Sequence, residues 1–527
     1  MSEHNFLSSE LEVAVNNSNS DVNEHLNDDN VKNKFDDKVL LRLQNMAVTP
    51  LLWHFVLPAI LANSISAVTN AIQTTIQKNV MGNIGIAASA IVQPLELMLT
   101  MYTSVGLSGG AVSFISPALG RQDLKTAQKY LMHYMFIYLV FIVLVPLCTL
   151  PWLPTLVLLL GAPENSDLQK YAIQYGTISF SLATVFYFIN YGFGNILRAA
   201  SRSVFNGVKQ IITACLELLF YYIFYYGIVA KGHVQLYTNA LASVLANALS
   251  ASVVICMFIP FKKLFKRFQL KFSVSGWRPF SFKAVFEIIY YAVPDWFAQF
   301  QIPLMIMVAN ALLKRISNSY AQTEQWITNL GVVYKMSPLI AVTNQSFSYA
   351  FSPSFGFALG ARDFARMREI MRKTLLYQSL SGLFMWIIMN IVLNPVCNSL
   401  TNNYAPMTDD LTFGFRCYNG MLPLMCCFLC VNDINQLEQK PFKAFLVQIN
   451  RLFFVVFFEV VLTLGLNDQK GVYYAFLIGD FCSACIGMIN FAERYLLYGM
   501  AMRGEVDGEK VVGKAKGKQK IEVYEEK

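Results

Sequence analysis

The chain has 527 residues, of which 55% are hydrophobic and only 14% charged, with a formal net charge of +8. A soluble domain carries about 25% charged residues, and here 15 of the 33 acids lie in residues 1–45 and 498–527. That scarcity excludes a soluble enzyme, a disordered protein and a single anchor on a soluble head, and leaves an all-α polytopic membrane protein.

Residues 1–45 are rich in Asn, Asp and Ser and contain no early apolar run. They read as a disordered tail, not a signal peptide. Apolar stretches then recur, each long enough to cross roughly 30 Å of hydrocarbon. They predict twelve spans, at about 51–77, 87–115, 130–150, 171–192, 209–229, 237–259, 284–312, 326–352, 374–395, 411–432, 444–465 and 472–497. Pro58, Pro94, Pro146, Pro294 and Pro338 fall inside spans, where neighbouring helices can satisfy the freed backbone groups. The basic stretch 260–283 separates residues 46–259 from 284–497, so it is expected to link two six-helix lobes. Residues 498–527 form a second polar tail ending in Lys514, Lys516, Lys518 and Lys520.

An even number of spans puts both tails on one side. That side carries 31 Lys and Arg residues and the opposite side six, so both termini are expected in the cytoplasm. The same basic loops, held at an anionic leaflet, account for the net charge without nucleic acid. Most of the ten cysteines lie in apolar runs. Cys482-x-x-Cys485 has redox or zinc spacing but no second ligand pair, and reads as core packing. No HExxH or Walker A spacing occurs, so neither a metal nor another cofactor is expected.

The two halves resemble each other. Pro58 near the start of span 1 matches Pro294 in span 7. Ala118-Leu-Gly-Arg-Gln-Asp123 after span 2 matches Ala358-Leu-Gly-Ala-Arg-Asp363 after span 8. Because six spans separate the copies, both run in the same orientation, a parallel repeat with its axis along the membrane normal.

Several segments are similar to those of the MATE (multidrug and toxic compound extrusion) family. They are Gly106-x-x-Gly109-Gly110 with Ser116-Pro-Ala-Leu-Gly120, Leu160-Gly-Ala162, and Asn195-Ile-Leu-Arg198-Ala199. In the second half they are Ser352-Pro-Ser-Phe-Gly356, Gln436-Leu-Glu-Gln-Lys-Pro441, Arg451, Gly471-Val-Tyr473 and Asp480. The resemblance covers most of residues 50–497. It implies two pseudo-symmetric six-helix lobes forming a V, a central cavity open alternately to each side, and export of small organic, often cationic, compounds against inward H⁺ or Na⁺.

Such exchange needs a carboxylate in the low-dielectric interior, where a proton and a cationic substrate can compete for one site. Glu96, Glu217, Asp295, Glu459 and Asp480 lie well inside the spans. The resemblance implies an Asp in span 1 and another in span 5, but Asn70 and Tyr221 take those positions, with Glu217 one turn before Tyr221. Asn63, Ser66, Asn70, Gln73 and Gln77 form one helical stripe, which in lipid must face protein or water. Glu96, Glu217, Asn63, Asn70, Gln73 and Tyr221 are therefore expected to line an N-lobe cavity. The competing reading of the stripe is interhelical glue. In the C-lobe, Asp295 beside the Pro294 break and Lys335 in span 8 are candidates for substrate or ion contact, with a structural ion pair as the alternative.

The sequence thus predicts a monomeric, multi-pass secondary antiporter for small molecules, in the plasma or an internal membrane. A lipid-linked sugar flippase is the alternative within transport. A membrane-embedded transferase is the alternative outside it, and has no supporting motif.

Overall fold

The structure is a computed structural model that describes residues 46–159, 164–200, 202–227, 237–259, 270–272, 274–277, 280–400 and 405–506. The tail 1–45, most of the C-terminal tail and part of the 260–283 linker lie outside the described residues.

Among the described residues the chain is helical, with no strand. In the first half, α1 (Val48–Glu96) runs through a π-helical turn (Leu97–Tyr102) into α2 (Thr103–Gly120). Then come α3 (Leu124–Thr149), α4 (Leu153–Leu159) and α5 (Asp167–Ile178). Two further π-helical turns, Ser179–Ala183 and Phe188–Phe193, flank α6 (Thr184–Tyr187). They are followed by α7 (Gly194–Ala199), α8 (Ser203–Gly227) and α9 (Tyr237–Phe258). The second half contains α10 (Phe282–Ile316), α11 (Tyr320–Ala361), α12 (Phe364–Leu400) and α13 (Ala405–Tyr418). It ends with α14 (Met425–Leu437), α15 (Pro441–Leu466) and α16 (Lys470–Met502).

Ten described helical stretches are long and apolar enough to cross a membrane. The two other expected spans are helical but differ for physical reasons. Span 8 lies in α11, whose Asn329, Ser337, Asn344 and Ser346 are buried and dilute its hydropathy. Span 10 is broken: α13 stops at Tyr418 and α14 starts at Met425. The break is held by neighbours. Asn344 Nδ2 donates to the Leu422 carbonyl at 2.7 Å, and Asn419 Nδ2 to Ser337 Oγ at 3.1 Å. Non-helical backbone at membrane depth persists only where protein satisfies it in this way. The loop expected between spans 1 and 2, at 78–86, is instead helical, because Val80, Met81, Ile84 and Ile86 continue the apolar run without a proline. The two apolar windows, Val48–Asn70 and Ile91–Gly120, remain distinct.

The repeat reappears in backbone geometry. Gln122 after α2 and Arg362 after α11 both sit in the left-handed region, at φ 60° and 57°. The next residue, Asp123 or Asp363, bonds its own N–H to Ala118 O or Ala358 O. Each Asp then accepts the backbone N–H three residues on, Thr126 at 3.0 Å and Arg366 at 2.9 Å, and so caps the following helix.

Three apolar clusters define the architecture. One mixes both lobes and gathers the helix ends nearest the termini, including Leu51, Phe55, Ile115, Leu119, Ile288 and Phe355. At the opposite ends the cores separate. Val92, Val157, Phe180 and Tyr225 form a cluster within the N-lobe, and Leu313, Leu330, Phe415 and Phe476 form one within the C-lobe. Two lobes that share a core at one end and keep separate cores at the other make a V whose closed end lies at the terminus side.

Candidate functional site

The three π-helical turns all border one polar site in the N-lobe. Such turns inside α-helices are frequent at functional sites. The first begins one residue after Glu96, the second begins at Ser179, and the third contains Asn190. Glu96, at the end of α1, is 5% exposed. Tyr175 of α5 donates its hydroxyl to Glu96 Oε2 at 2.8 Å, and Tyr187 and Ser179 lie beside the same carboxylate.

Glu217 comes from α8. Ser243 of α9 donates its hydroxyl to Glu217 Oε1 at 2.7 Å, and Gln73 of α1 lies beside it. The two carboxylates are close enough to repel each other. Tyr187 joins them, because its hydroxyl also meets Ser243 Oγ at 2.8 Å. Tyr221 is buried one turn beyond Glu217, and its ring stacks on Tyr225 at 5.5 Å. Neither Glu96 nor Glu217 has an ion pair among the described residues.

Of the expected N-lobe group, the structure brings Glu96, Glu217, Gln73 and Tyr221 together. Asn63 is elsewhere: its amide donates across to Ser346 of α11 at 3.3 Å. Asn70 is exposed, and the Gln77 side chain lies outside the described ones.

In the C-lobe, Asp295 presses against α2, where a methyl group at Gly109 would overlap its carboxylate. Asn432 Nδ2 donates to Asp295 Oδ1 at 3.4 Å. Asp433 of α14 adds a second acid, half-buried like Asp295 and facing it, and accepts the Ser348 hydroxyl at 2.9 Å. The Lys335 side chain lies outside the described ones. Arg451, eight residues before Glu459, does not reach it. It forms an ion pair with Asp480 of α16, at 2.7 and 3.3 Å. Glu459 is fully buried, and both its oxygens lack partners among the described residues.

Sequence reasoning did not single out Asp433, one residue beyond span 10, or Lys209, the first residue of span 5. Asp433 lies within α14, and Lys209 is buried inside α8 at 7% exposure. It also missed Tyr175, Tyr187, Asn190, Ser243 and Asn247. These have no charge to mark them, and their meeting depends on how α5, the π-helical turns and α9 are packed.

The lobes meet tightly at the closed end. Cβ atoms at Gly106 and Gly110 would lie 2.8 Å from Trp296 Cα and from Ala292 N. Trp296 Nε1 donates to Thr103 Oγ1 at 3.1 Å, Tyr130 OH to Glu287 Oε2 at 2.7 Å, and the Ser281 N–H to His133 Nε2 at 3.0 Å. Arg198 of the N-lobe lies 3.8 Å above the Tyr349 ring of the C-lobe.

Residues 58–223 match the MatE family model. No curated protein matches the chain. Among solved structures, a MATE transporter in its straight conformation superposes with a TM-score of 0.78 and 16% identity, over 88% of this chain and 100% of that one. An outward-facing multidrug resistance MATE transporter of the MOP superfamily matches with a TM-score of 0.77 and 16% identity, over 88% and 99%. A MOP superfamily transporter from Pyrococcus furiosus, described as having a binding pocket of reversed polarity, gives 0.78 and 16%, again over 88% and 99%. The chain thus resembles the MatE family over residues 58–223 and shares the fold of solved MATE transporters over 88% of its length.

Proposed function

We infer that the protein is a secondary antiporter that exports small organic cations in exchange for H⁺ or Na⁺, with Glu96 and Glu217 as the coupling carboxylates. The observation that carries this reading is the convergence of two acids from different helices on a site lined by hydroxyls. Each carboxylate is held by a Tyr or Ser donor and not by a fixed cation. A fixed Lys or Arg partner would keep a carboxylate occupied through the whole cycle. Hydroxyl donors leave it free to exchange a proton, a metal cation or an organic cation. Tyr175, Tyr187, Tyr191 and Tyr221 add π faces that suit an organic cation.

In this mechanism the V closed at the terminus side is one of two states. Loading the carboxylates with the coupling ion releases the organic cation from the open side, and the lobes then rock about their shared core. Both termini lie in the cytoplasm in this reading, so the open side faces outward. The test is efflux of ethidium from proteoliposomes under an imposed H⁺ or Na⁺ gradient. Glu96→Gln and Glu217→Gln are each expected to reduce gradient-driven efflux at least tenfold. Undiminished efflux in both variants removes these residues from the mechanism. No efflux from the wild type under either gradient favours the flippase alternative.

A further inference from the structure

Lys209 is a buried amine two turns before Glu217 on α8, and no carboxylate among the described residues reaches it. Its Nζ donates to the Asn190 carbonyl at 3.1 Å and to Asn190 Oδ1 at 3.4 Å. From this amine a single chain of hydrogen bonds runs to Glu217. Asn190 Nδ2 donates to Asn247 Oδ1 at 3.0 Å, Asn247 Nδ2 to Ser243 Oγ at 3.4 Å, and Ser243 Oγ to Glu217 Oε1 at 2.7 Å.

Every donor in this chain points the same way, from the Lys209 amine toward the Glu217 carboxyl group. The amide orientations are fixed independently by backbone acceptors. Asn190 Nδ2 also donates to Asn247 O, and Asn247 Nδ2 to Ser243 O, both at 2.9 Å. Ser250 adds a further donor to Asn190 Oδ1 at 3.0 Å. A head-to-tail chain with a cation at its donor end and an anion at its acceptor end is polarised cooperatively. Protonating Glu217 would remove the negative charge at the acceptor end and weaken that polarity.

We propose that Lys209 is a positioning residue for coupling: through Asn190, Asn247 and Ser243 it sets the charge state of Glu217, and so the conditions under which the N-lobe site takes up a cation. The proposal rests on the reading of Glu217 as a coupling carboxylate. Other charged and titratable groups also face the two ends. Arg198 is the charged neighbour of Lys209, while Glu96, Tyr187, Tyr191 and Tyr221 surround Glu217. None of these is joined to both ends by the chain, so Lys209 and Asn247 are the positions that test it.

The experiment is binding of tetraphenylphosphonium to the full-length protein in nanodiscs, measured from pH 5 to 9. Eight residues of helix separate Lys209 and Glu217 by roughly 12 Å. At an effective dielectric constant near 20, a unit charge at that distance is worth about tenfold in the carboxylate's proton affinity, or about one pH unit. Lys209→Met is expected to move the midpoint of cation binding up by about one pH unit, and Lys209→Arg to leave it in place. Asn247→Leu keeps the charge but cuts the chain, and is expected to move the midpoint the same way by a smaller amount. It also serves as the test if Lys209→Met does not fold. Glu217→Gln is expected to remove the pH step. A midpoint unmoved in Lys209→Met and Asn247→Leu, with the step still abolished in Glu217→Gln, overturns the role of Lys209 and leaves the function intact. Equal shifts in Lys209→Met and Lys209→Arg also overturn it, since packing then explains the effect. A pH step that survives Glu217→Gln overturns the underlying reading instead.

Discussion

The repeats approach each other closely where α2 crosses α11 at Gly120 and Gly360. A Cβ on Gly120 would lie 3.0 Å from Gly360 Cα and overlap the Phe357 carbonyl oxygen. One on Gly360 would lie 2.9 Å from Gly120 Cα and overlap the Pro117 carbonyl. The obstacles are backbone atoms, so no side-chain rotation relieves them, and Gly120→Ala has to push one helix away from the other. Overpacking of this kind costs about 1–3 kcal/mol. In the proposed alternating-access cycle this contact separates when the V opens at the terminus side, so the cost falls on the closed state and shifts the equilibrium toward its alternative by roughly 5- to 150-fold. Gly331→Ala is the control, since nothing lies within 4 Å of a Cβ there. Thermal unfolding followed by tryptophan fluorescence reads the stability. Spin-label distances across the open ends of the lobes read the population. Gly120→Ala and Gly360→Ala are each expected to lower the melting temperature and shorten the distance. The double variant should cost less than the sum, because both substitutions strain the same contact. A Gly120→Ala protein as stable as Gly331→Ala, with the wild-type distance distribution, refutes the crossing as a pivot.

Two further outcomes concern the C-lobe. Arg451→Met leaves Asp480 buried without its partner and is expected to cost about 3–5 kcal/mol, whereas adding Asp480→Asn should restore much of the loss; chemical denaturation of the detergent-solubilised protein measures both. Asn344→Leu frees the Leu422 carbonyl in the span 10 break and is expected to cost about 1–3 kcal/mol. The same assay checks it, with Gln345→Leu on the exposed side of α11 as the neutral comparison.

The scarcity and placement of charge made the helical membrane class legible. The Ala-Leu-Gly motifs made the duplication legible, and the structure returns it as matching left-handed residues at Gln122 and Arg362 and matching Asp caps. Glu96 and Glu217 were legible because an intramembrane acid stands out in an apolar run. Their partners were not. Tyr175, Ser243 and Asn247 resemble any polar residue in a transporter helix, and only packing brings them to the acids. Lys209 was hidden for a different reason. At the very start of span 5, beside Arg198 and Arg202, a lysine looks like the edge of a basic loop, and its burial depends on the carbonyl of Asn190 in a π-helical turn. The break in span 10 was invisible because its residues Gly420-Met-Leu-Pro423 interrupt neither length nor hydropathy.

The two lobes share a fold but tie part of their charge differently. In the C-lobe, Arg451 contacts Asp480 directly, and Glu438 is held by Arg494 at 3.2 Å and Lys440 at 2.7 Å. A direct pair with a desolvated partner gains most when both charges stay, so it resists any change in protonation or ligand. In the N-lobe the acids and the amine are kept apart and joined only through neutral amides and hydroxyls. Such a spacing gives up Coulomb energy, since the interaction falls with distance. In return each carboxylate can lose or gain a cation without stranding a counter-charge beside it. In the proposed cycle the acids held by hydroxyls and amides, Glu96 and Glu217 in the N-lobe and Asp295 and Asp433 in the C-lobe, are therefore the ones free to change charge, while the Arg451–Asp480 pair and the Glu438 cluster stay fixed.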